Sequence, residues 1–153
     1  MGHLKRQNNI LFFVILFFFI QFSGSQANIP PNIDAIGDQW YCPLSQINVV
    51  TDFDIVDPDN TGIESLSIQI STGYIIGQDK LLLTGSHPNI VTSWDITKGK
   101  LTLEGVGGAD VLYTELIAVV KDVVFESSSL NVSGEKSFSF TIGDANYLPS
   151  TNH

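Results

Sequence analysis

The feature that most constrains the fold is an alternation of apolar and polar side chains with a period of two residues. Within Glu64–Ser71, Leu66, Ile68 and Ile70 alternate with serine and glutamine. Successive side chains of a β-strand point to opposite faces, so the pattern predicts a strand with one buried and one solvated face. The same alternation recurs in two other segments, Val49–Ile55 and Lys136–Ile142.

Shorter patterns predict further strands, two of which form a hairpin. Ile90–Trp94 and Lys100–Glu104 form a predicted hairpin, with Trp94 on the same face as Ile90. Leu81 and Leu83, then Val123 and Phe125, mark two more strands. Six or seven short strands, with turn residues about every 8–12 positions, are typical of a β-sandwich.

One segment favours a helix instead. Leu116, Ile117 and Val120 form an apolar stripe within Tyr113–Val120, and Thr114 can cap the first turn. The β-branched residues are poor helix formers, so we expect one or two turns. The predicted fold is therefore all-β, a β-sandwich of about seven strands with one short helix, preceded by a signal-peptide helix.

The N-terminus has the three parts of a secretory signal peptide. Lys5 and Arg6 precede an unbroken apolar run, Ile10–Ile20, and small residues follow at Ser25 and Ala27. Eleven apolar residues are short of the roughly 20 that a membrane-spanning helix needs. We therefore predict cleavage after Ala27 and a secreted or cell-surface location.

The predicted division of the chain has four parts. They are a signal peptide (1–27), an extended leader rich in Pro, Asn and Gly (28–38), the β-sandwich domain (39–144) and a linker-like tail (145–153). The tail has the character of a truncated junction to another module.

Charge excludes several classes of partner. Residues 28–153 carry five basic and sixteen acidic side chains, a net charge of −11. Such a surface repels phosphate backbones and anionic lipid, so we expect neither nucleic-acid binding nor docking on an acidic membrane. We also expect no membrane span in the processed chain.

The sequence offers little for catalysis. The only cysteine, Cys42, cannot form an internal disulfide, and its apolar neighbours predict that it is buried. His87 has no partner at metal-ligand spacing, and no G-x-S-x-G motif is present. Asp52 and Asp54 share the solvated face of a strand, which does not suit acid–base chemistry. We therefore expect a protein that is not an enzyme.

An acidic turn is the one candidate metal site. Asp57, Asp59 and Glu64 surround the Asp-Pro-Asp-Asn-Thr-Gly turn, and calcium prefers carboxylate and carbonyl oxygens from such turns. An EF-hand is rejected because the position that requires glutamate is Ile68. Calcium at the edge of the sandwich stays open, and so does the alternative of a solvated turn. No other cofactor is indicated.

Carbohydrate binding is a second hypothesis. Most aromatic residues fall at inward strand positions, but Trp40, Tyr41 and Tyr74 are able to face solvent. The loops at 57–62 and 74–79 are the expected site. Asn131 begins an N-glycosylation pattern, which has meaning only in a eukaryotic secretory pathway.

Segments spread over residues 38–148 carry a family resemblance. They are TDFDIVDPD at 51–59, IQISTGY at 68–74, GQD at 77–79, LLLTG at 81–85, WD at 94–95, GKLTL at 99–103, Tyr113 with Leu116, and VVF at 123–125. In these segments the chain resembles the cadherin-like, immunoglobulin-like β-sandwich modules of large bacterial surface proteins, of the kind that precedes a C-type-lectin-like domain. ANYLPST at 145–151 resembles the junction into that lectin domain.

The resemblance implies a non-catalytic extracellular structural or adhesion module, a fragment of a larger multi-domain protein. Its partners would be a surface glycan or protein, engaged through neighbouring modules. Cadherins bind calcium through an Asp-x-Asn-Asp-Asn linker and a Leu-Asp-Arg-Glu motif, and neither occurs in this chain.

Overall fold

A computed structural model describes residues 28–131 and 134–143. The predicted signal peptide and the predicted linker-like tail lie outside the described residues, as do the last two positions of the N-glycosylation pattern. Within the described part the chain is mostly β-structure with one short α-helix, which confirms the predicted all-β fold.

Eleven strands and one α-helix follow one another in the described residues. They are β1 (Asn32–Ile36), β2 (Gln46–Asn48), β3 (Asp52–Val56), β4 (Gly62–Ile63), β5 (Ser65–Thr72), β6 (Asp79–Leu83), β7 (Ile90–Asp95), β8 (Lys100–Gly105), β9 (Val111–Leu112), α1 (Tyr113–Lys121), β10 (Val123–Ser127) and β11 (Ser137–Gly143). A short 3₁₀ segment, Val106–Gly108, links β8 to β9.

Two main antiparallel sheets form the two layers of the sandwich. One has the strand order β11-β5-β8-β7, and the other has the order β2-β10-β6. The predicted hairpin is β7 and β8, in which Trp94 lies opposite Leu101. Smaller pairs, β1 with β3 and β4 with β9, extend the edges.

The core lies between these sheets and is built from the alternating side chains. Leu66, Ile68 and Ile70 of β5 are buried, as are Leu81 of β6 and Phe125 of β10. All five belong to one continuous apolar cluster. Burying apolar surface is the main favourable contribution to folding, so this shared interior holds the two layers together.

Helix α1 covers one end of the core, with differences from the prediction. Leu116, Val119 and Val120 are buried, and Glu115 lies in the first turn, where a carboxylate suits the helix dipole. The helix spans nine residues, slightly more than the expected one or two turns. The expected cap at Thr114 is wrong, because the helix already begins at Tyr113 and makes no side-chain cap hydrogen bond.

The N-terminal leader joins the sheet. Strand β1 pairs antiparallel with β3, so that Ile33 lies opposite Ile55 and Asp34 opposite Asp54. The Thr51 amide also donates to the carbonyl of Ile36 at 2.6 Å. The leader is therefore an edge strand of the fold.

The expected burial of Cys42 is wrong, because the side chain is exposed. Cys42 starts a tight turn in which the Ser45 amide and hydroxyl both donate to its carbonyl, at 3.2 and 2.6 Å. The neighbouring Tyr41 takes the inward position, and its ring meets Phe125 edge-on at 4.9 Å. Apolar neighbours in sequence did not decide which side chain turned inward.

Candidate functional site

A groove with a volume of about 570 Å³ lies at one end of the sandwich. We call it the Trp94 groove. Four separate segments line it, namely Leu44–Gln46, Gly77–Lys80, Trp94 with Ile96, and Glu126–Ser128. Strands β2, β6, β7 and β10 therefore bring together residues that are distant in sequence.

A buried ion pair lies at the groove wall. Lys136 Nζ is 2.6 Å from Asp79 Oδ2, and the side chains are 9 % and 0 % exposed. Lys136 also donates to the carbonyl of Gly73 at 2.7 Å and lies 5.6 Å from the centre of the Phe125 ring. Buried charges persist only when they are paired and hydrogen-bonded, and this lysine has both kinds of partner.

Asp79 also shapes the loop before β6. Its Oδ2 accepts a hydrogen bond from the Ile75 amide at 2.8 Å, while the Asp79 amide donates to the Ile75 carbonyl at 3.0 Å. The Ser128 amide donates to the Gln78 carbonyl at 2.9 Å, which ties this loop to the end of β10. The second oxygen, Asp79 Oδ1, is buried and accepts no hydrogen bond from a described residue.

Trp94 lines the groove and packs against Tyr74, which is not a lining residue. The Trp94 ring meets Tyr74 edge-on, with centres 6.2 Å apart and planes at 81°. The Tyr74 hydroxyl donates to the Ile96 carbonyl at 2.5 Å. Desolvation by burial raises the pKa of Tyr74, and the nearby charges of Asp79 and Asp95 raise it further. Tyr74 is therefore a neutral hydrogen-bond donor that holds the tryptophan wall in place.

Gly99 makes this aromatic arrangement possible. Its φ of 63° lies in the left-handed region that favours glycine. A Cβ atom there would lie 2.8 Å from Cγ of Tyr74, too close for real side chains. The glycine in the β7–β8 turn thus leaves room for the tyrosine that supports Trp94.

Polar groups line up across three strands at the floor. Glu126 lies opposite Gln46 on one side and opposite Lys80 on the other. Gln46 Nε2 donates to Glu126 Oε2 at 2.9 Å. Directly opposed side chains on one sheet face interact, so amide, carboxylate and ammonium form one row.

The predicted calcium residues lie elsewhere and act as hydrogen-bond acceptors. Asp57 Oδ2 accepts from the Tyr113 hydroxyl at 2.6 Å, and Oδ1 accepts from the Asp59 and Asn60 amides at 3.0 Å each. Asp59 accepts from the Ile29 amide at 2.9 Å, and Glu64 lies between β4 and β5. No group of three His, Cys, Asp or Glu side chains in the described ranges could hold a metal ion. Calcium binding stays a prediction.

The hydrogen bonds of Asp57 determine its titration. Burial raises its pKa, but donation by Tyr113 and by the Asp59 and Asn60 amides outweighs this and leaves the pKa well below its usual range. The carboxylate is therefore charged at all ordinary pH values. It joins the turn before β4 to the start of α1.

This arrangement predicts acid sensitivity. A folded-state pKa below the unfolded value of 3.8 gives stability that is complete above that value and is lost as pH falls through the folded pKa. Tyr113→Phe should lower the free energy of unfolding by about 1.5–3 kcal/mol near neutral pH. On acidification the stability of this variant should fall less than that of the original chain. Urea unfolding at several pH values would measure both.

Tyr74→Phe is the matched control, since it removes a hydroxyl whose acceptor is a neutral carbonyl. It should leave the slope of stability against pH below about pH 4 unchanged. If Tyr113→Phe shows the same acid slope as the original chain, Tyr113 does not lower the pKa of Asp57.

Other sequence candidates also acquire structural partners. His87 Nε2 lies 3.0 Å from Asp122 Oδ2 and 3.1 Å from the Thr84 carbonyl, which joins the loop after β6 to the end of α1. Asp52 and Asp54 are exposed, as expected, and Lys121 lies 2.7 Å from Asp52. Trp40 is 98 % exposed and is not among the residues that line the Trp94 groove.

Only one loop of the groove is predictable from the sequence. The loop at 74–79 was an expected ligand-binding segment, and it does contribute to the groove. For Trp94 the sequence predicts only a strand face, and for Lys136 only the first position of a strand. A lysine that starts an apolar strand was the available signal for a buried charge, but its partner is 57 positions away.

In the described part of the chain no helix is long and apolar enough to cross a membrane. Comparisons with protein-family models, curated proteins and solved structures found no match to this chain.

Proposed function

We propose that this chain is a non-catalytic adhesion module of an exported surface protein and that it contacts its partner through the Trp94 groove. The observation that carries the proposal is the groove itself. It combines an aromatic wall, exposed apolar residues and a row of polar side chains on rigid strands. Surfaces of this kind suit recognition, because preorganised groups bind without a large loss of conformational freedom.

The state of the acidic groups in the groove supports binding rather than catalysis. Asp79 is held by Lys136, and Glu126 is held by Gln46. A general base needs access to a substrate proton, whereas the Asp79 side chain is fully buried and Glu126 Oε2 already accepts a hydrogen bond from Gln46. The predicted signal peptide supports export, since Ile10–Ile20 has the length of a signal-peptide core.

Export is tested by expressing the full chain in a secreting bacterial host and measuring the mass of the exported product by mass spectrometry. We expect a polypeptide that begins at Asn28. Leu16→Arg, which places a charge in the apolar run, should leave the unprocessed chain inside the cell. If the chain with the original sequence stays uncleaved in the cytoplasm, export is contradicted.

Adhesion is tested separately with the exported chain coupled to beads. We expect the beads to attach to intact cells and Trp94→Ala to reduce attachment. Trp40→Ala is the matched control, since it removes an indole that lies outside the groove lining. Equal attachment by beads that carry either variant would contradict the groove as the contact site.

A further inference from the structure

The chemistry of the Trp94 groove indicates a class of ligand. The chain is strongly acidic, yet the charged side chains at the groove are balanced: Asp79 and Glu126 stand against Lys80 and Lys136. Complementary potentials determine which partners a site favours. A balanced site gives no preference for a cation or an anion, so it favours a neutral ligand.

The apolar side chains of the groove fit a ligand that has a flat apolar surface. Trp94 is half-buried and held against Tyr74, while Leu44 and Ile96 are 65 % and 50 % exposed at the same groove. Large aromatic side chains contribute most to contact area and also impose a defined geometry. The ligand should therefore present a face of C–H groups.

The polar part needs a ligand with many neutral hydrogen-bonding groups. Gln46 and Gln78 offer both donors and acceptors, while Glu126 and the hydroxyl oxygens of Ser45 and Ser128 offer acceptors. These groups lie beside the apolar wall, so the ligand must combine C–H faces with hydroxyl edges. A pyranose ring has this combination.

Asp79 provides an independent observation. Its Oδ1 is buried and has no donor among the described residues, and the whole Asp79 side chain is 0 % exposed, so this carboxylate does not face the groove directly. Lys136 is paired with this carboxylate at 2.6 Å, so the two buried charges cancel. The buried pair therefore adds no net charge beneath the groove, which agrees with a neutral ligand.

We propose that the Trp94 groove binds a neutral oligosaccharide, with one sugar ring against Trp94 and its hydroxyls on Gln46, Gln78 and Glu126. This inference rests on the proposed function and names the ligand class for the same groove. Free and protein-linked neutral glycans share this chemistry, and both should bind.

The test starts with an array of neutral oligosaccharides of glucose, galactose, mannose and N-acetylglucosamine, alongside sulfated glycans and peptides. The exported chain should bind at least one neutral glycan, and Trp94→Ala should weaken its affinity roughly tenfold or more. The chain has two tryptophans, so Trp40→Phe makes Trp94 the sole indole reporter. Its fluorescence should shift on titration with that glycan.

Gln78→Ala is a second variant in case Trp94→Ala unfolds the domain. The Gln78 side chain bonds to no described residue, and the backbone carbonyl that bonds the Ser128 amide is kept in the variant. It should weaken glycan binding with an unchanged unfolding midpoint. The inference is overturned if no neutral glycan binds, if only peptides or sulfated glycans bind, or if both variants bind as the original does. If the chain attaches to cells in a Trp94-dependent way but binds no glycan, the proposed ligand class is wrong and the proposed function still holds.

Discussion

Lys136→Met should lower the free energy of unfolding by about 3–5 kcal/mol, the usual cost of leaving a buried charge without its partner. The variant keeps most of the side-chain volume but removes the ammonium that bonds Asp79 and the Gly73 carbonyl at 2.6 and 2.7 Å. Asp79, whose side chain is fully buried, would be left without its cationic partner in the apolar interior. Denaturant unfolding at neutral pH measures the loss.

Two further variants separate the ion pair from a general effect of losing a lysine. Lys98→Met removes an exposed lysine that lies 3.6 Å from Asp95, and it should change stability little. The double variant Lys136→Met with Asp79→Asn removes both charges, so it should recover part of the loss. If Lys136→Met is as stable as Lys98→Met, the buried pair does not stabilise the fold.

The ion pair also connects stability to the groove. Lys136 precedes β11, whereas Gly73 and Asp79 bracket the loop that forms one groove wall. Loss of the ammonium should therefore increase hydrogen exchange at the Ile75, Gln78 and Asp79 amides before the remaining strands open. Uniform exchange across the domain would show that the loop has no separate dependence on Lys136.

Phe125→Ala should have an effect of similar size, about 3–5 kcal/mol, because it leaves a cavity where both sheets meet. The ring is 2 % exposed and lies between Tyr41 and Phe138, with ring centres 4.9 and 5.8 Å away. It also faces the Lys136 ammonium. Its removal therefore affects the core and the environment of the ion pair together.

Trp40→Ala is the control for this substitution, since it removes a larger ring that is almost completely exposed. Surface substitutions of this kind usually change stability by no more than about 0.5 kcal/mol. Phe125→Leu should retain part of the stability lost in Phe125→Ala, because it fills part of the cavity. Equal unfolding midpoints for Phe125→Ala and Trp40→Ala would contradict the position of Phe125 in the core.

The strands were the most predictable part of the fold, and the site was the least. Leu66, Ile68 and Ile70 alternate with polar residues and are all buried, as predicted. The Trp94 groove has no such local signature, because its four segments meet only after the sheets have formed. The composition of the acidic turn at Asp57 predicts a metal site, whereas in the structure the Asp57 carboxylate accepts a hydrogen bond from Tyr113 of the helix.

Local sequence determined which face of an alternating strand such as β5 is buried, because side-chain direction in an extended chain follows a fixed period of two. The predicted strand Val49–Ile55 is shorter in the structure, where β3 begins at Asp52. Cys42 marks the limit of that rule: the chain turns there, and Tyr41 takes the inward position.

Tertiary structure alone decided the order of strands, with β5 between β8 and β11 and β10 between β2 and β6. It also decided that Lys136 meets Asp79 and that Trp94 shares a groove with Gln46 and Glu126. These contacts join residues far apart along the chain, and their energy depends on burial, which exists only once the two layers have closed.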